Sequence, residues 1–276
     1  MTARSRTRSS PAGPNIGSVQ SVERVIAVLD VLGRAGSPLR VRELSAAVGL
    51  PRPTVYRLVR TLSVHGLVVA VDSGYTIGPR ILSLAAHRLE QIELRAVGRP
   101  FLLALRDDSA ETAHLAVLEQ GQVVYIDKVE SPGPLRMASA IGKIMPAHST
   151  ALGKAMLAHL PEAEVRRIIE SRGLPRRTPN TITDPGRLRE ELAAARARGY
   201  AIDNVENEDG IRCVGAPVMD HRGQVAGAIS ISGSMATITL ERARRELGPR
   251  VRATAQQISR ALGWEGTLPV REGGES

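Results

Sequence analysis

Leu50 to Leu62 reads LPRPTVYRLVRTL, and the two faces of this stretch decide how the N-terminal part of the chain is organised. Val55, Leu58, Val59 and Leu62 recur at i, i+3, i+4 and i+7, which predicts a helix with one apolar stripe. Pro53 suits its first turn, where a missing N–H costs nothing. Thr54, Arg57, Arg60 and Thr61 fall off the stripe, so the opposite face carries two guanidinium groups and two hydroxyls. A planar guanidinium can take guanine O6 and N7 together or clamp a phosphate. A solvated basic face on an ordinary amphipathic helix would give the same pattern.

The preceding residues separate the two readings. Val41, Leu44 and Val48 form a second short stripe, and Gly49 followed by Leu50 supplies the glycine and apolar follow-on of a helix C-cap. Two short helices joined by a Gly-Leu-Pro turn predict a helix-turn-helix. An earlier helix is expected over Val19 to Arg34, with Val22, Val25, Ile26, Leu29 and Leu32 on its buried side. After Gly66, Leu67 to Val71 and Tyr75 to Ile77 read as strands broken by Asp72, Ser73 and Gly74, a hairpin signal. The whole predicts a winged helix-turn-helix spanning Ser18 to Arg80. Its expected contacts with double-stranded DNA are Arg42, Arg52, Thr54, Tyr56, Arg57 and Arg60, with Ser73, Gly74 and Tyr75 at the wing.

Charge follows the same division. Residues 1–80 hold 11 arginines, no lysine and 4 acids, so they carry +7 of the chain's net +9. A polyanionic partner for this module is implied. Arg4, Arg6 and Arg8 lie in a Ser/Pro/Gly-rich start, read as a basic disordered tail that either reaches phosphates or is simply solvated. No apolar run is long enough for a membrane span, and the absence of a signal-peptide pattern points to the cytoplasm. Cys213 is the single cysteine, which excludes an internal disulfide and a cysteine-based zinc site. No cofactor and no metal are expected.

Ile81 to Val97 continues a helical pattern through Ile81, Leu84, Ala85, Leu89 and Ile92, read as a linker helix and a candidate dimer contact. Strand-like runs then occur at Glu111 to Val117, Gln122 to Val129 and Leu135 to Ile141, followed by a helix from Ser149 to His159. Asp184 as N-cap, Pro185 at N1 and a stop at Gly199 mark another helix. Tyr200 to Asp203, Ile211 to Val218 and Gln224 to Ser232 read as strands, and Leu240 to Leu262 as a final helix. The fold class is α+β with one mostly antiparallel sheet. Period-two alternation puts Ala226, Ala228, Ser230 and Ser232 on one strand face, and Cys213 with Gly215 on one face of its partner strand. A surface of Ala, Ser, Cys and Gly leaves room for a small ligand, or gives a close seat to a packing helix. Met145 to Leu157, MPAHSTALGKAML, favours the ligand, because its helix start offers free N–H groups to a carboxylate. It is not a phosphate loop: His148 stands where a glycine is needed and Ala155 where a hydroxyl would hold Mg²⁺. Met137, Ile141 and Met145 are candidate apolar walls or core.

SVERVIAVLDVLG, LPRPTVYRLVRTL, HSTALGKAMLA, GIRCVGAPV and GAISISG occur in that order, and together they resemble the IclR (isocitrate lyase regulator) family of transcription factors over Ser18 to Trp264. The resemblance implies a winged helix-turn-helix, a linker helix and a GAF-like effector-binding domain, in a homodimer or a tetramer built from dimers. It implies sequence-specific operator binding modulated by a small organic-acid effector, with repression favoured over activation and a catabolic operon as the target. The domains would be a tail at 1–17, the DNA-binding module at 18–80, the linker at 81–98, the effector domain at 99–264 and a tail at 265–276. Carried over by motif, the effector residues are Ala151 and Leu152 at the helix start, Asp203 within YAID, Cys213, and Ser230 with Ser232. The last three are also picked out by the small strand face. The alternative is a hydrolase using Cys213 with His148 or His114 as base, although no third orienting group is evident.

Overall fold

The computed structural model describes residues 19–90, 93–133 and 138–268, which form two compact units divided between Arg88 and Leu89. Arg4, Arg6, Arg8 and Met137 lie outside the described residues.

In the first unit, α1 (Gln20–Arg34), α2 (Val41–Val48) and α3 (Arg52–Val64) are followed by β1 (Val68–Val71) and β2 (Gly74–Ile77). Val28, Leu32, Leu44, Val55, Val59, Leu62 and Val68 make one core to which all three helices and β1 contribute. The α1 face differs from its sequence reading. Val22 and Ile26 are each 53 % exposed, and Val28 is fully buried in their place. Helical periodicity alone admits either rotation of this stripe, and packing against α2 and α3 selects the Val28–Leu32 side. α2 ends at Gly49 in the left-handed conformation expected of its cap. The wing gains a third segment: Leu39 exchanges both backbone hydrogen bonds with Tyr75, at 2.9 and 2.8 Å. Gly74 permits this approach, since a Cβ there would lie 2.5 Å from the Leu39 carbonyl oxygen.

The expected linker helix is helical on both sides of residues 91–92, which lie outside the described residues. It is described as α4 (Pro79–Glu90) and α5 (Glu93–Ser109), and Leu94, Leu102 and Leu105 of α5 are buried in the core of the second unit. In that unit β3 (Thr112–Glu119), β4 (Gln122–Val129), β5 (Ile144–Pro146), β6 (Ala201–Asn204), β7 (Ile211–Met219) and β8 (Val225–Ser234) form one sheet of order β5-β4-β3-β8-β7-β6. Every pairing is antiparallel. The strand expected over Leu135 to Ile141 is absent from its described part, 138–141, and β5 pairs with β4 further on.

Helices cover both faces of the sheet. α5 and α10 (Gly248–Ala261) pack on the side of Val214, Ala216, Ile229 and Ile231. α6 (Ala151–Leu157) and α8 (Pro185–Arg198) pack on the side of Ala201 and Ala228. The predicted final helix is broken into α9 (Leu240–Arg242), a π-turn over Ala243–Leu247 and α10. α7 (Glu162–Arg172) has no buried residue, so its weak amphipathic signal escaped the sequence reading. Residues 265–268, read as the start of a tail, run back beside α10, where Leu268 is 2 % exposed.

A β-bulge opposite Leu115 and Ala116 shifts the alternation of β4, so that Tyr125 and Lys128, three residues apart, serve one face and Asp127 the other. Tyr125 and Lys128 pair with Ala116 and His114 on the α6 side. Asp127 pairs with Leu115 on the α5 side, where the Arg99 guanidinium donates to it at 2.5 Å.

Candidate functional site

On α3 the two faces are partitioned by burial. Val55 and Val59 are fully buried and Leu62 is 4 % exposed, while Arg52, Tyr56, Arg57 and Arg60 are exposed and Thr54 is half-buried. None of Arg42, Arg52, Arg57 and Arg60 has a carboxylate partner among the described residues. Their charges therefore stand unneutralised by any carboxylate among the described residues. The Arg60 guanidinium carbon lies 6.0 Å from the Tyr56 ring centroid, one helical turn away, which restrains both side chains. The Thr61 hydroxyl donates to the Arg57 carbonyl at 2.9 Å and is thereby occupied within the helix. At the wing Ser73 is exposed, whereas Gly74 and Tyr75 are half-buried and tied to Leu39.

In the second unit the small face of the sheet does two jobs. Gly215 lies directly under the start of α6, and a Cβ there would come 2.9 Å from the Ala151 carbonyl carbon. Beyond that seat, the face opens into a cavity. Ala151, Leu152, Asp203, Cys213, Ser230 and Ser232, expected from four separated segments, all line it. Strand register explains the convergence, because Asp203, Cys213 and Ser232 are cross-strand neighbours, as are Gly215, Ser230 and His114. Met145 also contributes a wall, while Ile141 is 45 % exposed and does not. The enclosed space is only about 30 Å³, room for roughly one or two waters.

Several wall residues escaped the sequence reading as ligand groups. His114 Nε2 and the Ser139 hydroxyl are 2.7 Å apart, and the Ser232 hydroxyl is 3.4 Å from His114 Nδ1. The His114 ring lies 5.0 Å from that of Tyr125. Burial, helped by the Lys128 charge, depresses His114 to about 3, so it stands as neutral imidazole. Asn207 lines the same wall and accepts the Ser149 hydroxyl at 3.1 Å. The register partners of Ser230 and Ala116 were the only signal for His114 and Tyr125, and register is invisible before the strands are paired.

Asp203 is 2 % exposed, and its Oδ1 accepts the N–H of Glu206 at 2.7 Å and of Asn207 at 3.3 Å. Burial outweighs these hydrogen bonds and, with the nearby Glu206 charge, raises the carboxyl to about 7. Burial and the Asp203 charge push the Cys213 thiol well above its ordinary value. A nucleophilic cysteine needs the opposite environment. His148 is directed to the Pro175 carbonyl at 3.1 Å and does not line the cavity, so it is no base for Cys213.

Lys154 of α6 is fully buried and does not itself line the cavity. Its Nζ donates to Glu206 Oε1 at 2.6 Å and lies 3.6 Å from Glu191 of α8, which Arg198 holds at 2.7 Å. A lone lysine within an apolar helix gives no sequence signal of this pairing. The ion pair fixes the segment after β6, and with it Asp203, against the helix that opens the cavity.

Residues 86–260 match the model of the bacterial transcriptional regulator IclR C-terminal domain, and residues 21–72 match that of the IclR helix-turn-helix domain. The transcriptional repressor IclR of Escherichia coli K12 is 33% identical over 264 residues, covering 94% of this chain and 96% of that one. The transcriptional repressor AllR of Klebsiella pneumoniae is 36% identical over 247 residues, covering 88% and 90%. Among solved structures, the Thermotoga maritima IclR superposes with a TM-score of 0.75 at 33% identity, covering 88% of this chain and 99% of that one. An IclR homologue from Microbacterium hydrocarbonoxydans, complexed with 4-hydroxybenzoate, gives 0.76 at 26% identity, with coverage of 88% and 99%.

Proposed function

This chain belongs to the IclR family of DNA-binding transcriptional regulators, and from that premise we propose that it is a repressor whose operator affinity is set by a small carboxylate effector. Residues 18–80 carry the DNA interface, 81–98 join the modules, and 99–264 hold the effector. The observation that carries the effector reading is the convergence of Ala151, Leu152, Asp203, Cys213, Ser230 and Ser232 on one cavity. The serine hydroxyls donate to the carboxylate, whose anionic end meets the first N–H groups of α6. Cys213 lies against the body of the ligand as a protonated, small apolar surface. The family relative complexed with 4-hydroxybenzoate supports an organic acid as the class. About 30 Å³ is far below the roughly 300 Å³ or more usual for a ligand site, so entry of an acid displaces wall residues. Repression responds to the ligand because the ligand stabilises the displaced arrangement.

On DNA, Arg57 and Arg60, with Arg42, Arg52, Thr54 and Tyr56, read or clamp the major groove, and Ser73 at the wing approaches the backbone, Gly74 and Tyr75 holding it in place. One winged module reads few base pairs, so a homodimer, or a tetramer of two dimers, occupies an inverted repeat in the cytoplasm. The apolar surfaces left exposed in the first unit, Val22 and Ile26 of α1 and Leu82 and Leu84 of α4, support self-association there.

Two measurements test this reading. Operator retention over a range of salt concentrations compares wild type with Arg57→Ala and Arg60→Ala. A loss of about 1–3 kcal/mol with relaxed specificity marks a base contact, and a shallower salt slope marks a phosphate contact. Unchanged binding by both variants removes α3 from the interface. Calorimetric titration with 2-oxo acids, sugar acids and aromatic acids compares wild type with Ser230→Ala and Ser232→Ala. Equal affinity of all three proteins for the acid that releases DNA places the effector elsewhere.

A further inference from the structure

A second cleft, of about 560 Å³, opens along the outer edge of the sheet between β6, α8, the 176–184 segment and the start of the C-terminal helices. Its volume is in the range of small-molecule sites. Its lining is polar and supplied with cations. Arg187 of α8 and Arg244 of the π-turn are exposed, and their side chains make no hydrogen bond or ion pair among the described residues. Arg176 is held only by neutral groups, the Pro179 carbonyl at 3.1 Å and the Thr183 hydroxyl at 3.4 Å. Three guanidinium charges from three separate segments therefore converge without a carboxylate partner. Of the acids in the cleft, Glu191 is taken by Arg198 and Glu206 by Lys154, which leaves Asp184, the N-cap of α8, as the unpaired one.

Two further groups narrow the chemistry. Asn204 Oδ1 accepts from Arg212 Nε at 2.9 Å, which leaves the amide nitrogen as a free donor beside the arginines. Glu206 lies at the floor, only 5 % exposed, and its Oε2 has no hydrogen-bond partner. An orphaned buried carboxylate oxygen calls for a donor. Guanidinium forks call for carboxylate or phosphate oxygens.

We propose that this cleft is a second ligand site, separate from the cavity under α6, which binds a small organic anion of at least two negative charges that also bears a hydroxyl. The anion bridges Arg187, Arg244 and Arg176, and the hydroxyl donates to Glu206. The site communicates with the first one by direct contact, because the Glu206 N–H donates to Asp203 and its carboxylate holds Lys154 of α6. Two corepressing or competing signals can thus act on one domain.

Such an anion comes from either of two sources, and calorimetric titration of the full chain with citrate and with glucose 6-phosphate distinguishes a polycarboxylate from a sugar phosphate. Inorganic phosphate and acetate serve as comparators. One of the two organic probes should bind once per chain below about 1 mM, and Arg187→Gln combined with Arg244→Gln should weaken it by about tenfold or more for each charge-assisted hydrogen bond removed. Ser230→Ala should bind it as wild type does. Both arginines are exposed, so the variant should melt with the wild type. The proposal is overturned if neither organic probe binds, if inorganic phosphate binds as tightly as the better one, or if Ser230→Ala abolishes binding while the arginine variant retains it.

Discussion

If the effector is a carboxylate in the cavity under α6, its affinity should fall as pH rises from 6 to 8, and Asp203 should be the reason. The Asp203 carboxyl is buried and raised to about 7, so it is mostly neutral at the lower pH and mostly ionised at the higher. Asp203 lines the same cavity of about 30 Å³ as the two serines, so a bound anion lies within a few ångströms of it. Two unit charges about 6 Å apart in an effective dielectric of about 20 repel by roughly 3 kcal/mol, so the ionised form scarcely contributes to binding. Affinity then follows the protonated fraction, which drops from about 0.9 to about 0.1 over the two pH units, a loss of about tenfold or ~1.4 kcal/mol. The sign is fixed by linkage: the anion favours the protonated carboxyl, so binding takes up a proton and weakens as protons become scarce. Titration calorimetry at pH 6, 7 and 8 in buffers of different ionisation enthalpy measures both the affinity and the proton uptake. Asp203→Asn should bind with nearly constant affinity across this range. Affinity that rises toward pH 8, or falls equally in wild type and Asp203→Asn, would refute the placement of the carboxylate beside Asp203.

Other perturbations report on the scaffold. Lys154→Ala leaves the Glu206 carboxylate buried without its partner and should cost about 3–5 kcal/mol in urea unfolding, with Lys154→Met costing less than Lys154→Ala if packing by the stem matters. Equal stability of Lys154→Ala and wild type would show that the pair is not formed in solution. Gly215→Val forces a branched side chain into the 2.9 Å gap beneath Ala151, so it should lower the melting temperature and abolish effector binding together while isolated operator binding by the N-terminal module persists. Leu44→Ala empties a fully buried position of the first core and should destabilise that unit by about 2–5 kcal/mol, read as earlier loss of its helices in thermal circular dichroism.

Periodicity and capping in the sequence determined the elements of the DNA-binding module. The Val55–Leu62 stripe, the Gly49 cap and the Asp-Ser-Gly break are local signals, because helix faces and turns are fixed by neighbours a few residues away. The small face of β7 and β8 was legible for the same reason, since strand alternation depends on sequence parity alone. The sequence order of motifs added Ala151, Leu152 and Asp203 to it. Tertiary structure decided what depends on pairing between distant segments. It rotated α1 so that Val28, and not Ile26, is buried, because only the positions of α2 and α3 distinguish two adjacent apolar stripes. It set the register that brings His114 and Tyr125 into the cavity and the bulge that sends Asp127 to the opposite face. It buried Lys154 against Glu206, and gathered arginines 176, 187 and 244 from three segments into one cleft. No local pattern encodes such meetings, since each is fixed by how helices pack across a sheet whose strand order, β5-β4-β3-β8-β7-β6, departs from the order of the chain.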